Sequence, residues 1–168
     1  TRRAVATIWR PRPGPSKDVP CTVALQWLVR DEQLHCVAMM RSSDTWLGWV
    51  YDVFNFSMIT AFLALRLRAR LRSAPVGLGR LYLTAGSQHL YVDGEDEAGA
   101  NRCLAGVNDL AFDYPSLDLA DFADDEHLVR SLWAVARVQL SGEPFGGFLH
   151  AVGEHVARNL GEKPGEPS

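Results

Sequence analysis

Cysteine is scarce in this chain. The three present, Cys21, Cys36 and Cys103, are an odd number in 168 residues. A chain of that length can bury a core without disulfide staples, so a reducing cytoplasm is the expected compartment. A charge excess is lacking too, since 17 Lys and Arg against 20 Asp and Glu leave a formal net charge of −3. Partners such as nucleic acid or a membrane surface leave a strongly basic footprint, and neither is expected here. No uninterrupted apolar run reaches the roughly 20 residues that span a bilayer. Arg66, Arg68, Arg70 and Arg72 break up the longest one. No signal peptide, internal repeat, low-complexity segment or linker is evident, and no metal site is expected, so a single domain over residues 1–168 is anticipated. The opening Thr1-Arg2-Arg3 runs at once into a strand-like segment, which suggests an internal start.

What is present is an ordered alternation of strand and helix patterns. Ala4 to Trp9 reads as a strand that Pro11, Pro13, Gly14 and Pro15 end. Thr22 to Val29 and Leu34 to Met40 read as an antiparallel hairpin around the polar Arg30-Asp31-Glu32-Gln33. With Asp31 and Glu32 as the loop, paired positions sum to 63, which sets Cys21 opposite Ser42 and Thr22 opposite Arg41. Cross-strand Cβ atoms then stand about 5 Å apart, bringing a cysteine beside a guanidinium. From Val53 to Ser73, Phe54, Met58, Ile59, Phe62, Leu63 and Leu67 recur at helical spacing, with arginines in the last turns and Pro75 and Gly77 as the stop. Gly79 to Leu83 reads as a strand, Gly86 breaks it, and His89-Leu90-Tyr91 follows in an extended rhythm. Glu95 to Leu104, a segment around His127 to Arg137, and Phe148 to Leu160 read as helices, and the tail from Gly161 to Ser168 as frayed.

Few residues carry chemistry. Cys21 follows Pro20 at a loop-to-strand junction, where a thiol can be exposed, with a cation nearby to stabilise its thiolate. Cys36 and Cys103 sit in apolar contexts and read as structural. Arg41-Ser42-Ser43-Asp44 is either a phosphate clamp, because a guanidinium offers forked donors to phosphate oxygens, or a solvated strand end. Arg2 and Arg3 are a second anion site or a solvated dipeptide. Asp52 lies among Trp46, Trp49, Val50, Tyr51 and Phe54, where an unpaired carboxylate is costly. It is therefore a helix N-cap, an acid that reads a ligand, or both. His89 and Tyr91 share one face of an extended run, which suits sugar hydroxyls and also suits an ordinary amphipathic strand.

Taken together, the Arg-Arg pair, Trp9, Pro20-Cys21, Arg41-Ser42-Ser43-Asp44 followed by Leu47-Gly48, and His89-Leu90-Tyr91 resemble the thymidylate synthase family, which includes the pyrimidine nucleotide hydroxymethylases. The resemblance spans about Arg2 to Tyr91, and the twenty residues from Cys21 to Arg41 match the family's spacing. It implies an α+β fold with a mixed or antiparallel sheet, a long central helix at about 53–73 and peripheral helices. By that resemblance Cys21 is the nucleophile that adds to C6 of the pyrimidine, and Arg41 and Ser42 hold the 5′-phosphate, with Ser43 a further substrate-binding residue. Arg2 and Arg3 reach the phosphate bound to the other subunit of a homodimer. Asp44, Leu47 and Gly48 line the folate and pyrimidine site, and His89 and Tyr91 contact the ribose. The co-substrate implied is 5,10-methylenetetrahydrofolate. The family's N-terminal part, with its phosphate loop and catalytic glutamate, has no counterpart in these residues, so they are expected to be a portion of a longer chain.

The departure from the family falls at Asp52. Thymidylate synthases carry an asparagine there that reads N3 and O4 of uracil, whereas this chain has Val50-Tyr51-Asp52. Cytosine presents an amino donor at C4, and an ionised carboxylate only accepts, so aspartate fits cytosine and repels O4 of uracil. The resemblance thus implies a cytidylate 5-hydroxymethylase acting on CMP or dCMP, with Asp52 also sharing a proton with N3. Water, rather than a folate hydride, then completes the reaction. Richness in Ala and Arg suits a high-GC bacterial gene and favours the CMP type of nucleoside antibiotic pathways. Ala85-Gly86-Ser87 is where a 2′-hydroxyl would be received. Two alternatives are a thymidylate synthase acting on dUMP, which calls for asparagine at position 52, and a non-catalytic nucleotide-binding relative in which Cys21 is dispensable.

Overall fold

A computed structural model describes residues 4–9, 19–71, 76–92, 95–106, 116–136, 149 and 152. Arg2, Arg3, the expected helix at Phe148–Leu160 as a continuous element, and the tail lie outside the described residues. The chain divides into two compact units, one of Thr1–Thr60 with Val76–Ala111 and one of Ala61–Pro75 with Phe112–Ser168.

The first unit is built on a sheet of β1 (Val5–Thr7), β2 (Thr22–Arg30), β3 (Gln33–Met40) and β5 (Gly77–Ala85), in the order β1-β2-β3-β5. The first three strands pair antiparallel, and β5 runs parallel to β3, so the sheet is mixed. The hairpin turns on Asp31 and Glu32, both at positive φ (48° and 59°), which lets a two-residue loop follow the twist of the strands. Apolar residues alternate along β3, so Leu34, Cys36, Ala38 and Met40 face inward and join Leu25 and Phe56 in the core. That burial pushes the Cys36 thiol above its ordinary value, with a partial offset from its hydrogen bond to Thr60. A buried polar link fixes sheet to helix: Trp27 Nε1 donates to Thr60 Oγ1 (3.2 Å), which donates to the Phe56 carbonyl (2.7 Å). Each group is satisfied without water.

The paired positions sum to 63 from Ala24↔Met39 to Arg30↔Gln33, as the sequence predicts. A bulge then intervenes, and Thr22 lies opposite Met40 rather than Arg41. The Arg41 amide donates to the Cys21 carbonyl (2.9 Å), so the expected pairing of Cys21 with Ser42 is off by one residue at the backbone. One extra residue on one strand causes the slip.

Helix α1 (Gly48–Arg70) starts five residues before the expected Val53 and ends short of Ser73. Asp44 explains the early start, because its carboxylate accepts from the amides of Trp46 (3.1 Å), Leu47 (3.0 Å) and Gly48 (3.3 Å). Those are the orphan donors that a helix N-terminus must satisfy. Asp52 therefore lies within the helix and is not its cap. With the added turn, α1 is long and apolar enough to cross a membrane by length and composition alone, contrary to the sequence expectation. Its Phe56 packs against Leu25, Cys36, Ala38 and Met40 of the sheet.

After β5, a two-stranded parallel bridge joins β4 (Ser43–Asp44) to β6 (Gln88–His89), and α2 (Glu95–Gly106) follows. Gly99 of α2 lies so close to Trp46 that a Cβ there would meet the indole at 2.9 Å, which fixes the indole against α2.

In the second unit α3 (Asp125–Ala136) is capped by Asp124, whose carboxylate accepts from the His127 amide (2.7 Å), while His127 Nδ1 accepts from the Ala123 amide (3.2 Å). Arg66 donates to the Asp125 carboxylate at 2.5 Å. That bond outweighs burial and holds the Asp125 carboxyl below its ordinary value of 3.8. A depressed carboxylate stabilises the fold above its unfolded pKa and loses that contribution as pH falls through the folded one. Arg66→Met is thus expected to lower the melting temperature by a few degrees at neutral pH, and the gap to the parent protein should close in acid. Thermal scans across pH check both parts.

Candidate active site

Two sets of groups converge on one pocket of the first unit. The strand ends at Cys21 and Arg41 supply one set of groups, and the α1 start with the β4–β6 bridge supplies the other. The pocket has a volume of about 560 Å³, within the range of small-ligand sites. Of the residues expected from the sequence, Cys21, Arg41, Ser42, Ser43, Asp44 and Asp52 line it. Gly48, His89 and Tyr91 do so as well. Leu47 does not, and its side chain is exposed.

Cys21 is a free, half-buried thiol at the start of β2. Its Sγ lies 3.5 Å from Ser42 Oγ. Arg41 reaches the same hydroxyl through Nη1 (3.4 Å), while Nε donates to the Pro20 carbonyl (3.1 Å) and Nη2 to the Val19 carbonyl (2.9 Å). With Ser42 Oγ accepting from Arg41, its own proton is free to point at sulfur, so the cation acts on the thiol through a hydroxyl. Three of the five guanidinium N–H groups are used among the described residues, which leaves two for an anion. The proximity of cysteine and arginine expected from the hairpin is thus met by a different route than direct cross-strand contact.

Asp44 and Asp52 show how surroundings separate two carboxylates. Burial pushes Asp44 up, but the three amide bonds at the α1 start and the nearby His89 outweigh it and hold it below its ordinary value. Asp52, one turn into α1, is half-buried, and its side chain has no hydrogen-bond partner among the described residues. Burial raises its carboxyl above the ordinary value. A desolvated acceptor without a partner is the kind of group a ligand completes.

His89 and Tyr91 stand as expected on one face of the extended run, with ring centroids 4.9 Å apart and edge to face. The Thr45 amide donates to the His89 carbonyl (2.8 Å) and the Ser43 amide to the Ser87 carbonyl (2.9 Å), which docks this run beside Asp44. The Gly86 amide donates to the Met40 carbonyl (3.0 Å), and a Cβ at Gly86 would lie 3.1 Å from the Arg41 carbonyl oxygen. Such an approach favours glycine, since any side chain would push the Arg41 carbonyl aside by a few tenths of an ångström. Ser87 also lines the pocket. Its signal in the sequence was only its place two residues before His89.

The thymidylate synthase family model matches residues 1–137. The chain belongs to the thymidylate synthase family. It is 28% identical over 92 residues to the thymidylate synthase of Listeria monocytogenes serotype 4b (strain CLIP80459), a match covering 54% of this chain and 27% of that protein. The crystal structure of thymidylate synthase from T4 phage matches with a TM-score of 0.45 at 21% identity, over 70% of this chain and 36% of that one. The chain thus spans about a quarter of the length of the curated relative it matches. The α+β architecture with a mixed sheet and one long helix agrees with the expectation from the sequence.

Proposed function

We propose that this protein is a cytidylate 5-hydroxymethylase, which places a hydroxymethyl group on C5 of CMP or dCMP at the expense of 5,10-methylenetetrahydrofolate. The observation that carries this is Asp52: a half-buried carboxylate with no partner among the described residues, in the same pocket as a free thiol. In the proposed reaction the Cys21 thiolate adds to C6 of the pyrimidine, assisted by the Ser42 hydroxyl that Arg41 polarises. Asp52 accepts from the C4 amino group and shares a proton at N3. Its raised proton affinity suits that task, because a proton is shared best between groups of similar basicity. The free N–H groups of Arg41 meet the 5′-phosphate, and His89 and Tyr91 the ribose. When bound, the folate supplies a one-carbon unit to C5. Asp44, Leu47 and Gly48 at the α1 start would hold it, and the exposed Leu47 side chain offers the apolar contact that a pterin or aryl ring needs.

A thymidylate synthase acting on dUMP is the second reading, favoured by the name of the Listeria relative. Aspartate at position 52 argues against it, since its acceptor would face O4 of uracil. Incubation with CMP, dCMP and dUMP in turn, with methylenetetrahydrofolate and tritium at C5, separates the readings by which nucleotide loses tritium. A non-catalytic relative would release none.

We also propose a homodimer formed on the open face of the sheet. Val5, Gln26, Val37 and Tyr82 form one row across four strands on the side away from the core, with Met39 in the next. Val5, Met39 and Tyr82 are large apolar side chains left exposed. Met39→Asp is expected to convert a dimer to a monomer in light scattering, and an unchanged mass would contradict this use of the face.

A further inference from the structure

Ser43 is 2% exposed, and among the described residues its Oγ is the buried side-chain oxygen or nitrogen with no hydrogen-bond partner. A buried hydroxyl left unpaired carries the cost of a lost hydrogen bond, and native folds rarely keep one without a use. It lines the pocket that holds Cys21 and Asp52. Its neighbour Ser42 engages Arg41 and Cys21. Consecutive side chains of an extended segment point to opposite sides, so Ser43 turns away from the guanidinium. The side it turns to is the α1 start: a Cβ at Gly48 would lie 3.8 Å from Ser43 Oγ. Asp52 follows Gly48 by four residues and so lies above it on the same helix face. Two polar groups without partners among the described residues, one able to donate and one that accepts when ionised, thus share one wall of one pocket without bonding each other.

We propose that Ser43 is a specificity-determining residue for the base, not a phosphate ligand: its hydroxyl donates to O2 of the pyrimidine, the ring acceptor that Asp52 does not engage. This rests on the cytidylate reading above. It supplies what that reading lacks, because Asp52 takes up the amino group and N3 and leaves O2, an acceptor, without a donor. It also moves Ser43 out of the phosphate clamp in which the sequence placed it.

The test compares CMP with ribose 5-phosphate, which has the sugar and phosphate but no base, by calorimetric titration of the intact protein. Ser43→Ala should weaken CMP about tenfold while ribose 5-phosphate binds unchanged. Ser43→Cys, which keeps the volume and replaces the hydroxyl with a weak donor, should show the same split. The melting temperature of the ligand-free Ser43→Ala protein should be no lower than the parent's, since no bond within the protein is lost. Equal weakening of both ligands would assign Ser43 to the phosphate and overturn the proposal. Unchanged CMP affinity, or a clear fall in ligand-free melting temperature, would overturn it as well. A parent protein that prefers UMP to CMP would sink the cytidylate reading. The Ser43 comparison is then made with UMP and keeps its force.

Discussion

Replacing Cys21 with alanine is expected to reduce tritium release from C5 of cytidylate by about 1000-fold or more, with little change in nucleotide affinity. The reason is chemical. C5 of a pyrimidine becomes a competent nucleophile only after an anion adds at C6, and among the described residues lining the pocket Cys21 is the one thiol. The substitution should disturb the fold little, for the residue sits at the edge of the core and its carbonyl, which accepts from Arg41, is kept. Ser42→Ala removes the hydroxyl between cation and sulfur and should give a smaller loss in tritium release, because the thiol keeps its place while the hydrogen bond that orients it is gone. Tritium release undiminished in Cys21→Ala would show that the thiol is not the nucleophile.

The second large effect is expected at Asp52. Asp52→Asn should lower kcat/KM for cytidylate by at least about 100-fold and raise activity on uridylate, because an amide offers the donor that O4 needs and loses one acceptor that the amino group needs. Stability should move the other way. Burial raises the Asp52 carboxyl, so the folded state holds its proton more tightly than the unfolded chain does. The stability this contributes is present below the unfolded value and is lost as pH rises through the folded one. At neutral pH the charged form is therefore a burden, and Asp52→Asn should melt higher than the parent, with the difference vanishing in acid. Gain of stability with loss of cytidylate activity is what a group held for function produces. A variant that kept full cytidylate activity and gained none on uridylate would refute the role given to Asp52.

Much of this was legible in the chain, and the failures have physical causes. The hairpin and its register follow from alternation and a two-residue turn, and they hold over seven successive pairs, from Ala24↔Met39 to Arg30↔Gln33. The bulge before Thr22 is invisible to alternation, yet it decides that Arg41 rather than Ser42 faces Cys21 at the backbone. The start of α1 was missed because Gly48, Trp49 and Val50 are poor helix formers, and Val50 and Tyr51 are exposed, which blurs the apolar stripe. The cap lies outside the helix, at Asp44, and so Asp52 drew the reading that belonged to Asp44. Parallel pairing of β5 with β3 is a tertiary fact that no local pattern reports. Most residues singled out for the candidate site line one pocket, since chemistry restricts residue types more tightly than packing does. Only the use of Ser43, a small polar residue like many others, needed the structure to show its hydroxyl buried and unpaired.

The most direct test of the central claim is the mass of the product formed when the intact protein is given equal amounts of CMP, dCMP and dUMP with 5,10-methylenetetrahydrofolate. The account predicts a cytidylate heavier by one CH2O unit, with dUMP unchanged. A uridylate heavier by one CH2 unit, with both cytidylates unchanged, would contradict it.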